Sequence, residues 1–535
     1  MAESTLRRVP LAGLAALALG AFGLRVLWIG FGLPETQPEE RWVTTFSSLG
    51  WSMGPGGVQP LAGGVHQCLL WLESVGAFLA LRVLGLVNDP GEFATWLAGD
   101  PTQFLTVARI GAALAGAATV VVLARHAAAE VSVRAGWVAG LFLAVAGTHV
   151  ELSRRVSGDA VQVLLIGLVW LAIADEAARR RRWPGWALAL LLGATLRCGW
   201  PSVLLLIPYV VALRPLGGRT LGAAAAGLVL AAIPDPLGLL GLGVWGAFAI
   251  PNGDTIGGAF AELARTGGAM GPAMALLAVL GIALGWLAKR PVVAWHAGFA
   301  LAVIVAGVYR IPGETGLHAL LPSVCLLAGV ALDDLAQRLR PLGRGVVPAA
   351  AVLAAVVALE PAWTSFRSNR QDAQPTTVSL AAAWIRSHLE HRSVVVCPGT
   401  VELYGAPLVP IPNLKKNLKE RAAYLENMGA REAVYWSHRV EALAPPLYDL
   451  RVVEASGVWP SMAVAREWGV EYAVIPTGDF VGGGGKALSQ AKWSRRHFYE
   501  ELLNAPQVEL LGTFEPDDTV RGPSLELWRI GSSGG

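Results

Sequence analysis

Two glutamates near the start of the chain are the first candidates for acid–base chemistry. Glu39 and Glu40 lie in the segment GLPETQPEERWV, directly after an apolar run at 11–31. A carboxylate at the edge of a membrane is partly removed from water, and this raises its pKa toward the value that a general base needs. The alternative is a solvated acidic loop end. The residues alone leave both interpretations open.

A short polar segment, ELSRRVSGD, supplies a second set of candidates: Arg154, Arg155 and Asp159. Arginine can donate two parallel hydrogen bonds to a phosphate. Asp159 opens the next apolar run, where a carboxylate also suits a helix N-terminus. The segment therefore indicates either a phosphate site or a helix anchor with balancing charges.

The third set lies in the segment RIPGETGLH, between two late apolar runs, and includes Arg310 and His318. Three polar clusters on one face of a helical bundle are what a site for a lipid-borne anionic substrate requires. We therefore expect Glu39, Asp159 and Arg310 to converge in one pocket that is open both to lipid and to the outer aqueous phase.

The elements that must position these residues are membrane spans. Of the 535 residues, 54% are hydrophobic and 15% are charged, and the mean hydropathy is +0.51. A soluble domain carries about a quarter charged residues, and runs of about 20 apolar residues are long enough to cross a bilayer. The sequence predicts a polytopic α-helical membrane protein with about eleven spans. The runs lie near 11–31, 105–125, 135–150, 160–177, 185–198, 201–213, 220–235, 270–288, 292–309, 317–333 and 345–361.

The distribution of basic residues predicts the topology, because cytoplasmic loops are rich in Lys and Arg. The basic loops all fall inside if 61–87 and 236–250 lie at the outer interface rather than crossing. The N-terminus is then cytoplasmic, and a long first loop at 32–104 and the C-terminus lie outside. The acidic pairs Asp175-Glu176 and Asp333-Asp334 fall at cytoplasmic span ends, where we expect them to be solvated.

The character of the sequence changes after residue 364. Residues 1–364 form the predicted membrane domain, and 365–535 form a predicted extracytoplasmic α/β domain in which helical and strand patterns alternate. The net charge of +3 does not favour nucleic acid as a partner. The four scattered cysteines have no spacing typical of a metal site or a disulfide framework.

This layout resembles that of the GT-C glycosyltransferases, in particular the protein mannosyltransferase and aminoarabinose transferase-like membrane enzymes. QPEERW at 37–42 resembles the family's acidic element after the first span, with Glu39-Glu40 in the place of an Asp-Glu pair. THVELSRRVSGDAVQVLL resembles the family's second outer loop and puts Asp159 on its acidic position. GLHALLPSVCLLAGVAL is similar to a late span, although the Arg-Tyr element before it is not intact.

The resemblance implies transfer of a hexose or pentose from a polyprenyl-phosphate donor to a hydroxyl of a glycan, lipid or protein acceptor, with inversion. Glu39, with Glu40 beside it, would be the base. Arg154, Arg155, Arg310 and His318 would bind the phosphate, or a divalent metal (Mg²⁺ or Mn²⁺) held near Asp159 would stabilise it. The family implies location in the inner membrane. A transporter or flippase of lipid-linked sugars and a non-catalytic membrane scaffold are the alternatives.

Overall fold

The computed structural model describes most of the membrane domain and much of the C-terminal part. The described residues are 10–33, 64–99, 102–177, 183–213 without 197 and 199, 218–232, 270–308, 317–398 without 344, 448–453, 458–477 and 490–531, with isolated positions at 261, 264, 268, 423, 427 and 438. The predicted interfacial segment at 236–250 lies outside these residues.

Helices occupy the apolar runs, and each begins and ends within a few residues of the predicted run, apart from the last, which continues to Asp372. Most runs contain Pro only near their ends, with Pro208 and Pro361 as exceptions, so they can keep their backbone hydrogen bonds internal, as lipid requires. The helices before residue 373 are α1 (Leu11–Val26), α2 (Gly64–Val83), α3 (Pro90–Gly99), α4 (Thr102–Glu130), α5 (Val133–Val145), α6 (Gly147–Leu152), α7 (Asp159–Ala177), α8 (Gly185–Leu196), α9 (Leu206–Leu213), α10 (Gly218–Ala232), α11 (Pro272–Leu287), α12 (Pro291–Val308), α13 (Leu321–Leu339) and α14 (Val346–Asp372).

In the part of the chain that the structure describes, three helical segments are long and apolar enough to cross a membrane: Thr102–Glu130, Leu317–Leu339 and Val346–Asp372. The segment Leu317–Leu339 joins a 3₁₀ turn, Leu317–Leu320, to α13. Six further apolar helices are shorter. The chain is therefore a helical protein with membrane-span candidates, and the count of about eleven spans stays a prediction. Helix α2 is not among these candidates, and its interfacial position stays a prediction.

Helix α13 lies at the centre of the membrane domain, because small residues let its neighbours approach closely. A Cβ at Gly281 of α11 would lie 1.9 Å from the carbonyl oxygen of Leu327. On another side of α13, a Cβ at Gly329 would lie 2.8 Å from the carbonyl oxygen of Ala135 in α5. Close backbone approach through glycine is a common way to pack helices in lipid.

The acidic pair at the end of α13 is buried, so the prediction that it is solvated is wrong. Asp333 is 2% exposed and Asp334 4% exposed. Asp333 Oδ1 lies 3.1 Å from Arg134 Nε, and Asp334 is paired with Arg290. These pairs join α13 to the first turns of α5 and to the residue before α12. A charge at this depth needs a partner, and the arginines supply it.

Glu176 likewise departs from the expectation, since it is 5% exposed. Its carboxylate accepts a hydrogen bond from the backbone N–H of Trp183, and Asp175 lies 3.4 Å from the indole nitrogen of the same tryptophan. The pair therefore anchors the start of the next helical segment to the end of α7.

The C-terminal part contains a five-stranded sheet with the strand order β2-β1-β3-β5-β4. Strand β1 is parallel to β2 and β3, and β5 is antiparallel to β3 and β4. The elements are α15 (Thr377–His388), β1 (Val394–Pro398), β2 (Asp449–Val453), α16 (Met462–Glu467), β3 (Tyr472–Pro476), α17 (Gln490–Asn504), β4 (Val508–Phe514) and β5 (Leu525–Ile530). Sequence patterns predict each of them except β2.

Helices cover both faces of this sheet, because successive residues of a strand point to opposite sides. Val395 packs with Ile385 of α15 on one face, whereas Val396 packs with Phe498 of α17 on the other. All five residues of β3 are buried, as is typical of a strand enclosed on both faces.

The chain divides into two compact units. The first contains α1, the beginning of α2 and the helices from Leu105 to Asn369; the second contains the rest of α2, α3 and the chain from Arg370 onward. The domain boundary predicted at residue 364 falls near this division, within α14.

We expect Gly281→Ala to destabilise the protein, because the new methyl group meets backbone rather than a movable side chain. Overpacking of this kind costs about 1–3 kcal/mol, and thermal unfolding of the purified protein in detergent will measure it. Gly298→Ala is the matched control in α12, since a Cβ there meets nothing within 4 Å. A Gly281→Ala variant that unfolds at or above the wild-type temperature would contradict this packing.

Candidate active site

Asp159 and His318 lie together, although 158 positions separate them in the sequence. Asp159 is the first residue of α7, and His318 lies in the 3₁₀ turn before α13. His318 Nε2 is 3.4 Å from Asp159 Oδ1, and the two side chains are 18% and 38% exposed. The structure thus brings together two of the residues predicted for the site, at a partly open position.

Gln162 completes this contact from one turn further along α7. Its Oε1 lies 2.8 Å from His318 Nε2, and its Nε2 donates to Ser202 Oγ at 3.2 Å. Residues three apart share one face of a helix, so Gln162 and Asp159 approach the same imidazole. Both Gln162 and Ser202 are buried.

His66 of α2 packs beside the same helix N-terminus. A Cβ at Gly158 would lie 3.5 Å from His66 Cβ, in ordinary van der Waals contact, so the ring lies directly beside Gly158. Burial lowers the pKa of His66 to about 4, although the charge of Asp159 acts in the opposite direction. His66 is therefore a neutral imidazole at physiological pH.

His149 of the short helix α6 is locked by Arg25, the last charged residue of α1. Arg25 donates through Nη1 to the carbonyls of Ala21 and Ala144 at 2.7 and 3.1 Å, and its Nη2 lies 2.6 Å from His149 Nδ1. Since arginine has no acceptor, Nδ1 must accept, and the proton of the imidazole lies on Nε2.

Arg154 is used inside the protein rather than at its surface, with 1% of the residue exposed. It donates through Nη1 to Asn369 Oδ1 at 2.5 Å and through Nη2 to the carbonyls of Leu27 and Trp28 at 3.3 and 3.4 Å. Asn369 in turn donates to the carbonyl of Leu24 at 2.8 Å. Leu24 lies in the last turn of α1, and Leu27 and Trp28 follow its end, where backbone carbonyls lack helical partners; Asn369 and Arg154 supply donors to them.

The other predicted residues fall into two groups. Arg155 lies partly exposed, with Nη2 3.1 Å from Glu151 Oε1 one turn before it. Glu39, Glu40 and Arg310 lie outside the described residues, so their predicted roles stay predictions, as does the phosphate role of Arg154 and Arg155.

The side chains around Asp159 are too few to form a complete set of metal ligands. Among the described residues, no group of three or more His, Cys, Asp or Glu side chains could hold a metal ion. One carboxylate and one imidazole fall short of the oxygen-rich octahedral shell that Mg²⁺ prefers. The metal predicted near Asp159 stays a prediction, and no catalytic step below depends on it.

Four residues of this region were missed from the sequence: Arg25, His66, His149 and Gln162. A signal was present for two of them. Arg25 is a lone charge within an apolar run, and such a charge needs a buried partner. Gln162 follows Asp159 by one helical turn, the spacing of two side chains that share a ligand or a neighbour.

Glu73 of α2 is a further buried carboxylate in this unit. A Cβ at Gly111 of α4 would lie 2.4 Å from Glu73 Oε1, and Glu73 Oε2 has no hydrogen-bond partner among the described residues. Burial raises the pKa of this carboxyl to about 7. The folded protein therefore favours the protonated form.

We expect Glu73 to make the protein less stable as the pH rises. A carboxyl whose pKa is raised in the folded state stabilises that state fully below the unfolded value of 4.5 and loses this contribution up to about pH 7. The thermal unfolding midpoint of wild type should therefore fall relative to that of Glu73→Gln between these pH values. Glu92→Gln, an exposed position in α3, is the control and should keep the wild-type slope; parallel curves for wild type and Glu73→Gln would refute the expectation.

Arg154 and Asn369 provide a test of the structural role. Arg154→Lys keeps the charge but loses the forked geometry, and Asn369→Ala removes the same link without changing charge. Hydrogen bonds to charged groups contribute about 1.5–3 kcal/mol, so each variant should unfold at lower temperature. The double variant should lose about 1–3 kcal/mol less than the sum, because the two residues are coupled. Strict additivity, with weakened binding of undecaprenyl phosphate in Arg154→Lys alone, would instead favour the phosphate role.

Comparison with known proteins shows the fold of the whole chain. No family model and no curated protein matches it. Two crystal structures of ArnT from Cupriavidus metallidurans do match, one bound to undecaprenyl phosphate (15% identity, TM-score 0.50) and one in the apo state (14% identity, TM-score 0.51). In both cases the match covers 98% of this chain and 98% of ArnT.

A more distant match is the archaeal oligosaccharyltransferase AglB from Archaeoglobus fulgidus, in complex with an inhibitory peptide and a dolichol-phosphate. It covers 87% of this chain and 69% of AglB at 12% identity, with a TM-score of 0.48, and no argument rests on it. ArnT is a GT-C glycosyltransferase. The predicted resemblance is confirmed at the level of structure: this chain has the GT-C fold.

Proposed function

We propose that this chain is a membrane glycosyltransferase that moves a sugar from a polyprenyl-phosphate donor to an acceptor hydroxyl. The observation that carries the proposal is the cluster of Asp159, Gln162 and His318 at the N-terminal end of α7, in a chain that matches ArnT from end to end. The matched ArnT structure binds undecaprenyl phosphate, which supports a lipid-linked donor for this chain.

The reaction needs one base and a stabilised leaving group. In our proposal Glu39, beside Glu40, takes the proton of the acceptor hydroxyl, whose oxygen attacks the anomeric carbon. The bond between that carbon and the phosphate oxygen breaks, and the lipid phosphate leaves with the electron pair. A phosphate leaving group needs no protonation, so a single displacement with inversion suffices. Arg155 and Arg310 are the arginines that we assign to its charge.

The same reasoning proposes a location. The donor's polyprenyl tail must stay in lipid while its phosphate reacts, so the site belongs at the membrane edge. The Lys and Arg distribution favours an inner-membrane protein with its N-terminus inside, and with its C-terminal part and the site outside. The sugar, hexose or pentose, and the acceptor, whether glycan, lipid or protein, stay open.

The alternatives are a flippase of lipid-linked sugars and a membrane scaffold. Transporters commonly contain internal repeats and charges at mid-membrane, whereas this sequence has no evident repeat. The described charged groups of the candidate site also lie at a helix end rather than in the middle of α7. These features favour an enzyme.

We expect Glu39→Gln to abolish turnover without removing donor binding. A general base contributes about 10²–10⁴-fold, so this variant should fail to restore a glycan that cells lose when the chain is deleted. Its purified form should bind undecaprenyl phosphate within two-fold of wild type. Glu92→Gln, at an exposed position in α3, is the control and should restore the glycan.

Two outcomes would count against this proposal. Restoration by Glu39→Gln would exclude the carboxylate base. Deletion that changes no glycan while a lipid-linked sugar accumulates on the inner leaflet would favour the flippase instead.

A further inference from the structure

The hydrogen bonds of His318 all meet one of its two ring nitrogens. Among the described residues, Gln162 Oε1 at 2.8 Å and Asp159 Oδ1 at 3.4 Å both approach Nε2, and none contacts Nδ1 within hydrogen-bond distance. A neutral imidazole carries its proton on one nitrogen and a lone pair on the other. Which nitrogen holds the proton decides what His318 can offer a substrate.

The carboxylate of Asp159 biases this polarity, and the oxygen of Gln162 then stabilises it. Ser202 alone cannot set it, because a hydroxyl can donate to an amide oxygen or accept from an amide nitrogen, and so it tolerates either orientation of Gln162. A lone pair on Nε2 would face the negative charge of Asp159, whereas an N–H there is attracted to it. With the proton on Nε2, Gln162 must present Oε1 to His318 and its NH₂ group to Ser202. The structure has this orientation.

We propose that Gln162 is a positioning residue that, with Asp159, fixes the proton of His318 on Nε2, so that Nδ1 accepts a hydrogen bond from a substrate hydroxyl. A phosphate oxygen has only lone pairs to offer a neutral Nδ1, and a hydroxyl has the hydrogen that this atom needs. The proposal reassigns His318 from the phosphate, predicted from the sequence, to a hydroxyl of the sugar or of the acceptor. The hydroxyl assignment rests on the proposed glycosyl transfer; the tautomer does not.

The tautomer can be measured directly. Protein labelled with ¹⁵N-histidine, purified in detergent, gives imidazole nitrogen shifts that separate a protonated from an unprotonated nitrogen, and His318→Gln identifies the signal by its loss. In wild type we expect a protonated Nε2 and an unprotonated Nδ1. Gln162→Leu removes the acceptor and should raise the Nδ1–H form from below a tenth to about a third or more of the molecules.

Two variants control this result. Gln162→Glu keeps an oxygen acceptor and should restore the wild-type tautomer, which a merely structural defect would not do. Gln337→Leu makes the same chemical change near the other end of α13, where Gln337 contacts Asp333, and should leave the His318 signal unchanged. A wild-type protein with Nδ1–H or with both nitrogens protonated would overturn the proposal, as would a Gln162→Leu signal identical to wild type.

Ligands then test the hydroxyl assignment. Undecaprenyl phosphate should bind without protonating Nδ1, whereas undecaprenyl phosphate carrying mannose or glucose should shift the Nδ1 signal if the donor sugar is the source. Free methyl glycosides should shift it if the acceptor is the source. Protonation of Nδ1 by undecaprenyl phosphate alone would restore the phosphate role and overturn ours. Failure of undecaprenyl phosphate to bind at all would instead refute the proposed donor and leave the tautomer result standing.

Discussion

The end of helix α1 is the point on which the described architecture of the membrane domain depends. The last turn of α1 and the residues that follow it carry carbonyls without helical partners, and lipid or protein interior offers no bulk water to replace those bonds. Three side chains from distant parts of the chain meet the need: Arg109 donates to the carbonyl of Ile29 at 2.8 Å, Arg154 to those of Leu27 and Trp28, and Asn369 to that of Leu24. Each arginine also interacts favourably with the negative end of the α1 helix dipole. These hydrogen bonds hold three elements around the end of α1: α4, α14 and the segment before α7. Asp159 is the first residue of α7.

Buried polar groups in the C-terminal half of α13 also have partners from distant parts of the chain. Asp333 and Asp334 would be costly at 2% and 4% exposure without partners, and Arg134 and Arg290 come from two different helix beginnings to provide them. Both clusters use arginine, whose planar donors can serve several acceptors at once. Nearer the middle of α13, Gly281 lets α11 approach its backbone closely at Leu327.

Hydropathy and length predicted the helices of the membrane domain well, since a run of apolar residues must form its hydrogen bonds internally in lipid and so becomes a helix whatever its neighbours are. The hydrogen-bond and ion-pair partners of the charged residues could not be predicted in this way. The sequence indicates that Arg154 lies near a membrane edge, and a phosphate and a set of backbone carbonyls suit a guanidinium equally well until the end of α1 is placed beside it. The same limit made Asp333 and Asp334 look solvated. In the site, Asp159 and His318 were chosen from their loops alone, and their contact supports that choice, whereas Gln162 gains its meaning only once His318 is known to face it.

The buried arginines near the site are paired within the protein, and this limits the positive charge that the site can offer a substrate. Arg25 and Arg154 are buried on carbonyls and on His149, and Arg109 is 1% exposed, so these cations are committed to the fold. What the described part of the site exposes is the carboxylate of Asp159 and the imidazole of His318, and His66 beside them is held neutral by burial. Such a surface suits the hydroxyl-rich, uncharged part of a glycosyl donor better than its phosphate. The phosphate would then lie toward Arg155, which remains partly exposed, and the sugar toward Asp159 and His318. Under the proposed function, the charged and neutral halves of one lipid-linked sugar would then lie on opposite sides of the start of α7, with the anomeric bond between them.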